Sequence, residues 1–139
     1  MKKTKTILNK IILAVFFSIC LLTSCSKGNI ANKMLDRLAA ESNRLCPMEV
    51  DYITRCDSIT HPVSLTLAYY YTLAVTAEEL DSLQMDWNKV KAQIVSSVNN
   101  NLQLAPLLAF NVKFRHTYFD SEGQEIYQTE IVPEDYKDK

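Results

Sequence analysis

Apolar residues recur along this chain with two different periods, and together these predict the order of its helices and strands. Between residues 31 and 45 they fall at every third or fourth position, the spacing of one face of an α-helix. A second helical stripe covers residues 80–98, behind a Thr-Ala-Glu-Glu sequence at residues 76–79 that has the spacing of a capping box. Pro47 predicts the end of the first helix, and the three asparagines at residues 99–101 predict the end of the second.

Four other segments have apolar residues at every second position, the period of a β-strand with one buried face. These segments are residues 48–60, 64–75, 110–118 and 124–132. His61-Pro62 separates the first two and Asp120-Ser121-Glu122-Gly123 separates the last two, so each pair predicts an antiparallel hairpin. The predicted buried faces include Leu65, Leu67, Tyr69, Tyr71 and Leu73 in the first hairpin, and Phe114, His116 and Tyr118 in the second.

The resulting order is helix, hairpin, helix, hairpin, without the strand–helix–strand alternation that is typical of parallel sheets. We therefore expect an α+β fold, with a four-stranded antiparallel sheet and the helices packed on one of its faces. The pattern does not determine the order of the strands.

The first 25 residues have the pattern of an export signal. Residues 1–10 are basic, and residues 11–22 form an apolar run that is short for a bilayer span, which takes roughly 20 apolar residues. Leu22-Thr23-Ser24-Cys25 follows, and it resembles the lipobox of bacterial lipoproteins. The resemblance implies that Cys25 carries a diacylglyceryl group and begins the mature chain. An uncleaved membrane anchor and a cleaved signal without lipid are the alternatives.

These features divide the chain into four parts. They are a lipoprotein signal peptide at 1–24, a short lipidated tether at 25–29, an α+β domain at 30–134 and a charged tail at 135–139. Because Ser26 rather than aspartate follows the cysteine, resemblance to lipoprotein sorting rules implies the outer membrane, on its periplasmic side. The expected partners are the membrane, reached through the anchor at Cys25, and another envelope protein.

Length and charge narrow the classes of function further. The 139 residues suit one domain, and 47% of them are apolar, as in ordinary globular proteins. Four of the 15 basic residues and none of the 16 acidic residues precede Cys25, which leaves the rest of the chain with a net charge of −5. Phosphate backbones repel such a domain, so we do not expect it to bind nucleic acid.

The sequence contains few residues able to carry catalysis or to hold a metal ion. Its two histidines, His61 and His116, fall in a predicted turn and on a predicted apolar face, and no paired spacing of metal ligands occurs. With only two glycines, the chain cannot build a glycine-rich phosphate loop. We therefore expect no metal, no cofactor and no enzymatic activity.

Cys46 and Cys56 are the two thiols of the predicted domain, and they leave two interpretations open. Export would bring them into an oxidising compartment, where disulfides persist. If residues 48–56 form one straight strand, however, that strand spans roughly 26 Å at about 3.3 Å per residue, too far for a bridge unless the chain folds back. A disulfide and two buried thiols are therefore both possible. The spacing fits neither a C-x-x-C redox site nor a zinc site.

One polar surface is a candidate for interaction with a partner. On the predicted first hairpin, the outward residues are Asp51, Arg55 and Asp57 of one strand and Thr66, Tyr70 and Thr72 of the other. Tyrosine and arginine are common at interaction hot spots. The same residues could equally form a solvated sheet face with cross-strand ion pairs.

The segment from Asn43 to Thr60 resembles an uncharacterised family of short secreted bacterial proteins. The matching positions are Asn43, Pro47, Val50, Asp51, Thr54 and Arg55, followed by Tyr69 to Tyr71, Tyr118, Asp120 and Gly123. Members often carry a cysteine near the end of the long helix, where this chain has asparagines. The resemblance implies the order of elements given above and no particular activity.

The predicted anchor at Cys25 and the lack of catalytic motifs in the sequence together lead to one expectation about function. We expect a lipid-anchored protein of the outer membrane that acts as a protein-interaction or accessory module. The alternative is a periplasmic domain that binds a small molecule or a glycan between the sheet and the helix carrying Trp87. An enzyme is the third and weakest interpretation.

Overall fold

The structure, a computed structural model, describes residues 24–137. The predicted signal peptide, up to residue 23, lies outside the described residues, as do residues 138 and 139. In chain order the elements are α1 (Ser24–Asn43), β1 (Met48–Glu49), β2 (Thr54–Val63), β3 (Thr66–Leu73), α2 (Ala77–Ser82), α3 (Trp87–Asn100), α4 (Ala105–Leu108), β4 (Lys113–Phe119), β5 (Glu125–Ile131) and α5 (Pro133–Lys137). Within residues 24–137, no helix combines the length and the apolarity needed to cross a membrane.

The five strands form one mixed sheet in the order β1-β2-β3-β4-β5. The central pair, β3 and β4, is parallel, and the other three pairs are antiparallel. The predicted four-stranded antiparallel sheet is therefore wrong, although the α+β class is right. The error has a physical reason: α2, α3 and α4 carry the chain across one face between β3 and β4, so that β4 starts at the same end of the sheet as β3.

The strand register brings the predicted apolar positions onto one face, which we call the inner face. Across the parallel pair, Tyr69 lies beside His116 and Tyr71 beside Tyr118. Phe114, at the same level as Leu67, is completely buried. The alternation in β3 and β4 is as predicted, because a period of two places every second side chain on the same face.

Helices α1 and α3 both pack on the inner face. Ala31, Leu35 and Ala39 of α1 are buried, at the spacing of one helical face. The main core cluster joins residues of α1 and α3 to the sheet, and it includes Leu35, Ala39, Val95, Val98, Leu67, Phe114 and Ile131. Helix α1 lies against β2 and β3, whereas α3 contacts β5.

Polar contacts fix α1 to the β2–β3 hairpin. The side-chain oxygen of Asn32 accepts the backbone N–H of Leu65 at 2.8 Å, and that of Asn43 accepts the N–H of Ile59 at 3.0 Å. Between these two points, Nδ1 of His61 lies 2.7 Å from a carboxylate oxygen of Asp36. His61 is therefore part of β2, not of a turn. Helix α1 is held to the sheet along much of its length.

The long helix predicted after β3 is interrupted. Thr76 caps α2 with the predicted capping box, in which Thr76 and Glu79 each accept the other's backbone N–H. The chain then leaves helical geometry at Gln84, where φ is +50°, and Asp86 caps α3 by accepting the N–H groups of Asn88 and Lys89. A second good N-cap thus begins a new helix inside the periodic stripe.

The turn between β4 and β5 is built as the sequence predicts. The N–H of Gly123 donates to the carbonyl of Asp120 at 3.1 Å, and Gly123 has a φ of +83°, which suits glycine. One carboxylate oxygen of the buried Asp120 also accepts the N–H groups of Glu122 and Gln124. The second hairpin is therefore fixed at its turn.

Both ends of the predicted domain are helical where they are described. Residues 25–29, which we predicted as a tether, form the start of α1 and continue into it without a break. Residues 135–137, predicted as part of a charged tail, belong to α5, in which Tyr136 is buried and donates a hydrogen bond to the carbonyl of Val112.

Candidate binding groove

A cavity of about 450 Å³ lies between the inner face of the sheet and α3. Its floor is formed by β3 and β4, its first wall by α3, and its second wall by residues 50–54. We call it the aromatic groove and define it by Tyr69, Tyr71, His116 and Tyr118 on the floor, Trp87, Gln93 and Ser97 on one wall, and Val50, Asp51 and Ile53 on the other. No residue of the described part of α1 lines it.

Stacked rings form the floor of the groove. Tyr69 stacks on His116 with ring centroids 4.6 Å apart, and Tyr71 stacks on Tyr118 at 4.7 Å. Both pairs are neighbours across the β3–β4 register, which explains their contact. At the end of the groove, Trp87 stacks on Tyr127 at 4.1 Å. Because each ring is held by a neighbouring strand or helix, the floor is a preformed aromatic surface.

The floor is uncharged over a wide pH range. Burial raises the pKa of Tyr69 and of Tyr71 far above the usual tyrosine value, and it raises that of Tyr118 to about 12. Burial also lowers the pKa of His116 to about 4, since the charged imidazolium loses its hydration. At neutral pH all four rings are therefore neutral, which favours neutral and apolar groups as occupants.

The two ring nitrogens of His116, on the floor of the groove, have different surroundings. Its Nδ1 lies 3.2 Å from the Tyr71 hydroxyl, while its Nε2 is buried and has no hydrogen-bond partner among the described residues. A buried polar atom without a partner costs about 1–3 kcal/mol. Because Nε2 is enclosed by protein atoms, this cost stays in the folded state.

The opening, or mouth, of the groove combines one exposed apolar residue with polar ones. Val50 lines the groove and is 55% exposed. Exposed polar residues, Asp51, Gln93, Ser97 and Asn101, surround the opening. Leu45, Met48 and Tyr52, which are close to Val50 in the sequence, are also exposed but do not line the groove.

The side chain of Asp51 shapes this mouth. One of its carboxylate oxygens accepts the backbone N–H groups of Ile53 at 2.9 Å and of Thr54 at 2.8 Å. Because β2 begins only at Thr54, Asp51 lies in the turn before the strand. It is therefore beside the groove, and it does not share the outer face of the sheet with Arg55 and Asp57.

Four of the other predicted surface residues do lie together on the outer face, but their polar groups are largely engaged with one another. Nε of Arg55 is 2.6 Å from one oxygen of Asp57, and the Thr72 hydroxyl donates to the other oxygen at 2.6 Å. Tyr70 is half-buried on the neighbouring part of β3. The ion pair lies within β2 and the Thr72 hydroxyl joins β3 to it, contacts that are typical of a solvated sheet face. A role of this face in binding stays a prediction.

Thr66, the last member of the predicted surface, is not accessible. It is 3% exposed, and its hydroxyl lies 3.3 Å from the carbonyl oxygen of Ser64, to which it donates. The predicted set of six therefore separates into three environments: the groove mouth, the outer face and a buried position.

The lining of the groove offers mainly neutral aromatic and apolar surface to an occupant. Across residues 24–137, no group of three or more histidine, cysteine, aspartate or glutamate side chains is arranged to hold a metal ion.

The sequence pattern predicts that Trp87 and the aromatic residues of the strands pack in the core. The space between the sheet and the helix carrying Trp87 follows from it only as the alternative binding site. The aromatic residues at every second position of β3 and β4 indicate the floor of the groove. The width of the groove depends on where α3 lies over the sheet, which the sequence pattern does not contain.

The described residues form a small α+β domain with a preformed aromatic groove. The chain belongs to the family described as Domain of unknown function (DUF8479), whose model matches residues 29–127. No curated protein matches the sequence.

Three solved structures share the fold. A protein from Pseudomonas aeruginosa (PA3611), described as secreted, has 18% identity and a TM-score of 0.67, over 79% of this chain and 96% of that one. The type 2 secretion system pilotin EpsS of Vibrio vulnificus has 14% identity and a TM-score of 0.64, over 78% and 94%. The type II secretion system pilotin AspS of Vibrio cholerae has 15% identity and a TM-score of 0.64, over 81% and 97%. At these identities the likeness shows a shared fold.

Proposed function

We propose that this protein is a lipid-anchored accessory module of the cell envelope that binds an apolar segment of another envelope protein in the aromatic groove. The observation that carries the proposal is a preformed, neutral aromatic floor beneath an opening at which Val50 is exposed. The outer face, where polar groups are engaged in internal pairs, is the weaker candidate surface.

The proposed location is the periplasmic side of the outer membrane, with Cys25 acylated. The basic and apolar segments before Cys25 and the lipobox-like sequence support export and lipidation. Two solved structures with this fold are pilotins of type II secretion systems, which supports an accessory role next to a larger envelope assembly. A lipid anchor also raises the effective concentration of the module for partners at the same membrane.

The chemistry of the groove describes its occupant. Because the floor rings are neutral and stacked, apolar or aromatic side chains gain by burial there, whereas a charged side chain would lose its hydration. A polypeptide segment also supplies backbone amide and carbonyl groups, which can pair with the exposed side chains of Gln93 and Ser97 on the groove wall. We therefore propose an apolar peptide segment as the occupant, and a binding role without catalysis.

Site-specific photocrosslinking tests the proposed site. A photoreactive phenylalanine analogue replaces Gln93, which is exposed on the groove wall, and in a control protein it replaces Gln128, which is exposed on β5 away from the groove. After irradiation of intact cells, we expect a protein adduct from position 93 and none from position 128. Mass spectrometry identifies the adduct and its crosslinked segment.

A matched pair of aspartate variants gives the second readout. Val50 at the mouth and Val63 at the far end of β2 are 55% and 53% exposed, so Val50→Asp and Val63→Asp add the same charge at similar exposure. We expect Val50→Asp to reduce the adduct roughly tenfold or more, because a charge must be buried with the partner. Val63→Asp should leave it unchanged. Equal adducts at positions 93 and 128, or insensitivity to Val50→Asp, would overturn the proposal.

A small neutral ligand is the second candidate occupant, either an aromatic molecule or a glycan. The volume of about 450 Å³ is in the range of ligand pockets, and the exposed side chains of Gln93 and Ser97 offer polar anchors. In the same crosslinking experiment this candidate gives an adduct at position 93 with the mass of a small molecule and no protein adduct.

A further inference from the structure

Cys46 and Cys56 are brought together by a reversal of the chain. After Cys46, strand β1 pairs with β2 in antiparallel register, with Met48 opposite Cys56, and residues 50–53 form the turn between the two strands. The straight strand that argued against a bridge does not exist. The sulfur atoms of the two cysteines lie 4.0 Å apart, which is van der Waals contact.

We propose that Cys46 and Cys56 form a disulfide in the exported protein and that this bridge fixes the mouth of the aromatic groove. The inference rests on the proposed envelope location, because disulfides form and persist in oxidising compartments. The two thiols lose two protons and two electrons as the sulfur–sulfur bond forms. The electrons reduce a disulfide of an envelope thiol oxidant to its dithiol.

Little opposes the closing of the sulfur–sulfur distance. The thiol of Cys46 is 3.8 Å from the carbonyl oxygen of Ser42, and that of Cys56 is 3.9 Å from the carbonyl oxygen of Ser58, so both form only weak hydrogen bonds. Bond formation requires the sulfur atoms to move from 4.0 Å to the bonding distance of about 2.05 Å.

The bridge would close a loop that contains the groove mouth. Residues 47–55 lie between the two cysteines, and they include Val50, Asp51 and Ile53 of the groove wall. In the thiol form this loop is held by the two-residue strand β1 and by the hydrogen bonds of Asp51. A covalent link at its base would therefore limit how far the wall can move.

The burial of Cys56 indicates when the bond forms. Its side chain is 1% exposed, and burial raises its thiol pKa to about 12, with the nearby Cys46 adding to the effect. Because the thiolate is the reacting form, the folded dithiol oxidises slowly. Oxidation during folding, while Cys56 is still accessible, is the expected route.

Thiol counting on the full-length protein from isolated envelopes tests the bridge. The protein is denatured without reductant and alkylated, and its peptides are measured by mass spectrometry before and after reduction. We expect no alkylation of Cys46 or Cys56 before reduction, alkylation of both afterwards, and a linked peptide pair lighter by about 2 Da than the separate dithiol peptides. Cys46→Ser is the control, and there Cys56 should be alkylated without reductant.

The location of the protein is measured on the same sample by fractionation and lipid labelling. This tests the proposed envelope location separately from the proposed bridge between Cys46 and Cys56. Alkylation of both cysteines without reductant in envelope-located protein overturns the bridge and leaves the proposed placement intact. Unlabelled cytoplasmic protein with free thiols overturns the placement and the bridge together.

The effect on the groove has its own readout. In the Cys46→Ser, Cys56→Ser variant, we expect amide hydrogen exchange at Val50 and Ile53 to be roughly tenfold faster than in the oxidised protein, while exchange in β5 stays the same. Unchanged exchange at the mouth would refute a role of the bridge in fixing it. The unfolding equilibrium constant should rise about 100-fold when the bridge is lost.

Discussion

Replacement of His116 by phenylalanine should remove a specific part of the pH dependence of stability. In the folded protein burial lowers the pKa of His116 to about 4, from an unfolded value of 6.5. Between these two values the unfolded chain binds a proton that the folded chain does not, so the free energy of unfolding falls as the pH falls. His116→Phe keeps a ring against Tyr69 and has no group that titrates there.

The size of the effect follows from the two pKa values. For a single group, the linkage relation gives a loss of about 2 kcal/mol between pH 7 and pH 5, and about 3 kcal/mol by pH 4. All other side chains are the same in both proteins, so their contributions largely cancel in the difference between wild type and variant.

Urea unfolding at several pH values measures this difference. Trp87 is the only tryptophan, and it stacks on Tyr127 at the end of the groove, so its fluorescence should report unfolding. Loss of the contact with the Tyr71 hydroxyl changes the stability of the variant by an amount that does not depend on the titration of His116. Only the change of the difference with pH is therefore diagnostic. A difference that is constant from pH 7 to pH 5 would refute the reasoning.

Three further predictions concern the free energy of unfolding in urea at pH 7. Phe114→Ala should cost about 3–5 kcal/mol, because Phe114 is completely buried, and a loss below about 1 kcal/mol would show that its site collapses. Thr76→Ala should cost about 1 kcal/mol through the lost cap of α2, whereas Thr76→Ser should cost little; equal losses would argue against the capping role. Gly123→Ala should cost about 1 kcal/mol because φ is +83°, and an unchanged stability would show that the turn adapts.

Local features of the fold could be predicted, and long-range ones could not. The alternation in β3 and β4, the Thr76 cap and the Asp120–Gly123 turn depend on residues close in sequence, and the structure has all three. The parallel pairing of β3 and β4 depends on where the intervening helices carry the chain, which no local pattern contains. The sequence pattern does not predict the break at Gln84, because the apolar stripe continues across it; Asp86, a strong N-cap, marks where α3 begins.

The groove illustrates the same limit at the level of the site. Tyr69, Tyr71 and Tyr118 were correctly placed on the inner face, but a buried stripe in the sequence does not tell whether helices cover it completely. Helix α1 lies against β2 and β3 and α3 contacts β5, so a gap remains along α3. The alternation from residue 48 onward predicts that Asp51 lies within the first strand of the hairpin. It lies instead in the turn before β2, which its side chain stabilises.

If Cys25 is acylated as proposed, the length of helix α1 limits the distance between the lipid surface and the mouth of the groove. Its 20 residues span about 30 Å, and they start next to the anchor and end just before the segment that forms the groove mouth. Contacts through Asn32, Asp36 and Asn43 hold α1 to the sheet, so the helix cannot move independently of the domain. The opening of the groove therefore stays within about 30 Å of the lipid surface, and only partner segments presented in that layer of the periplasm can reach it.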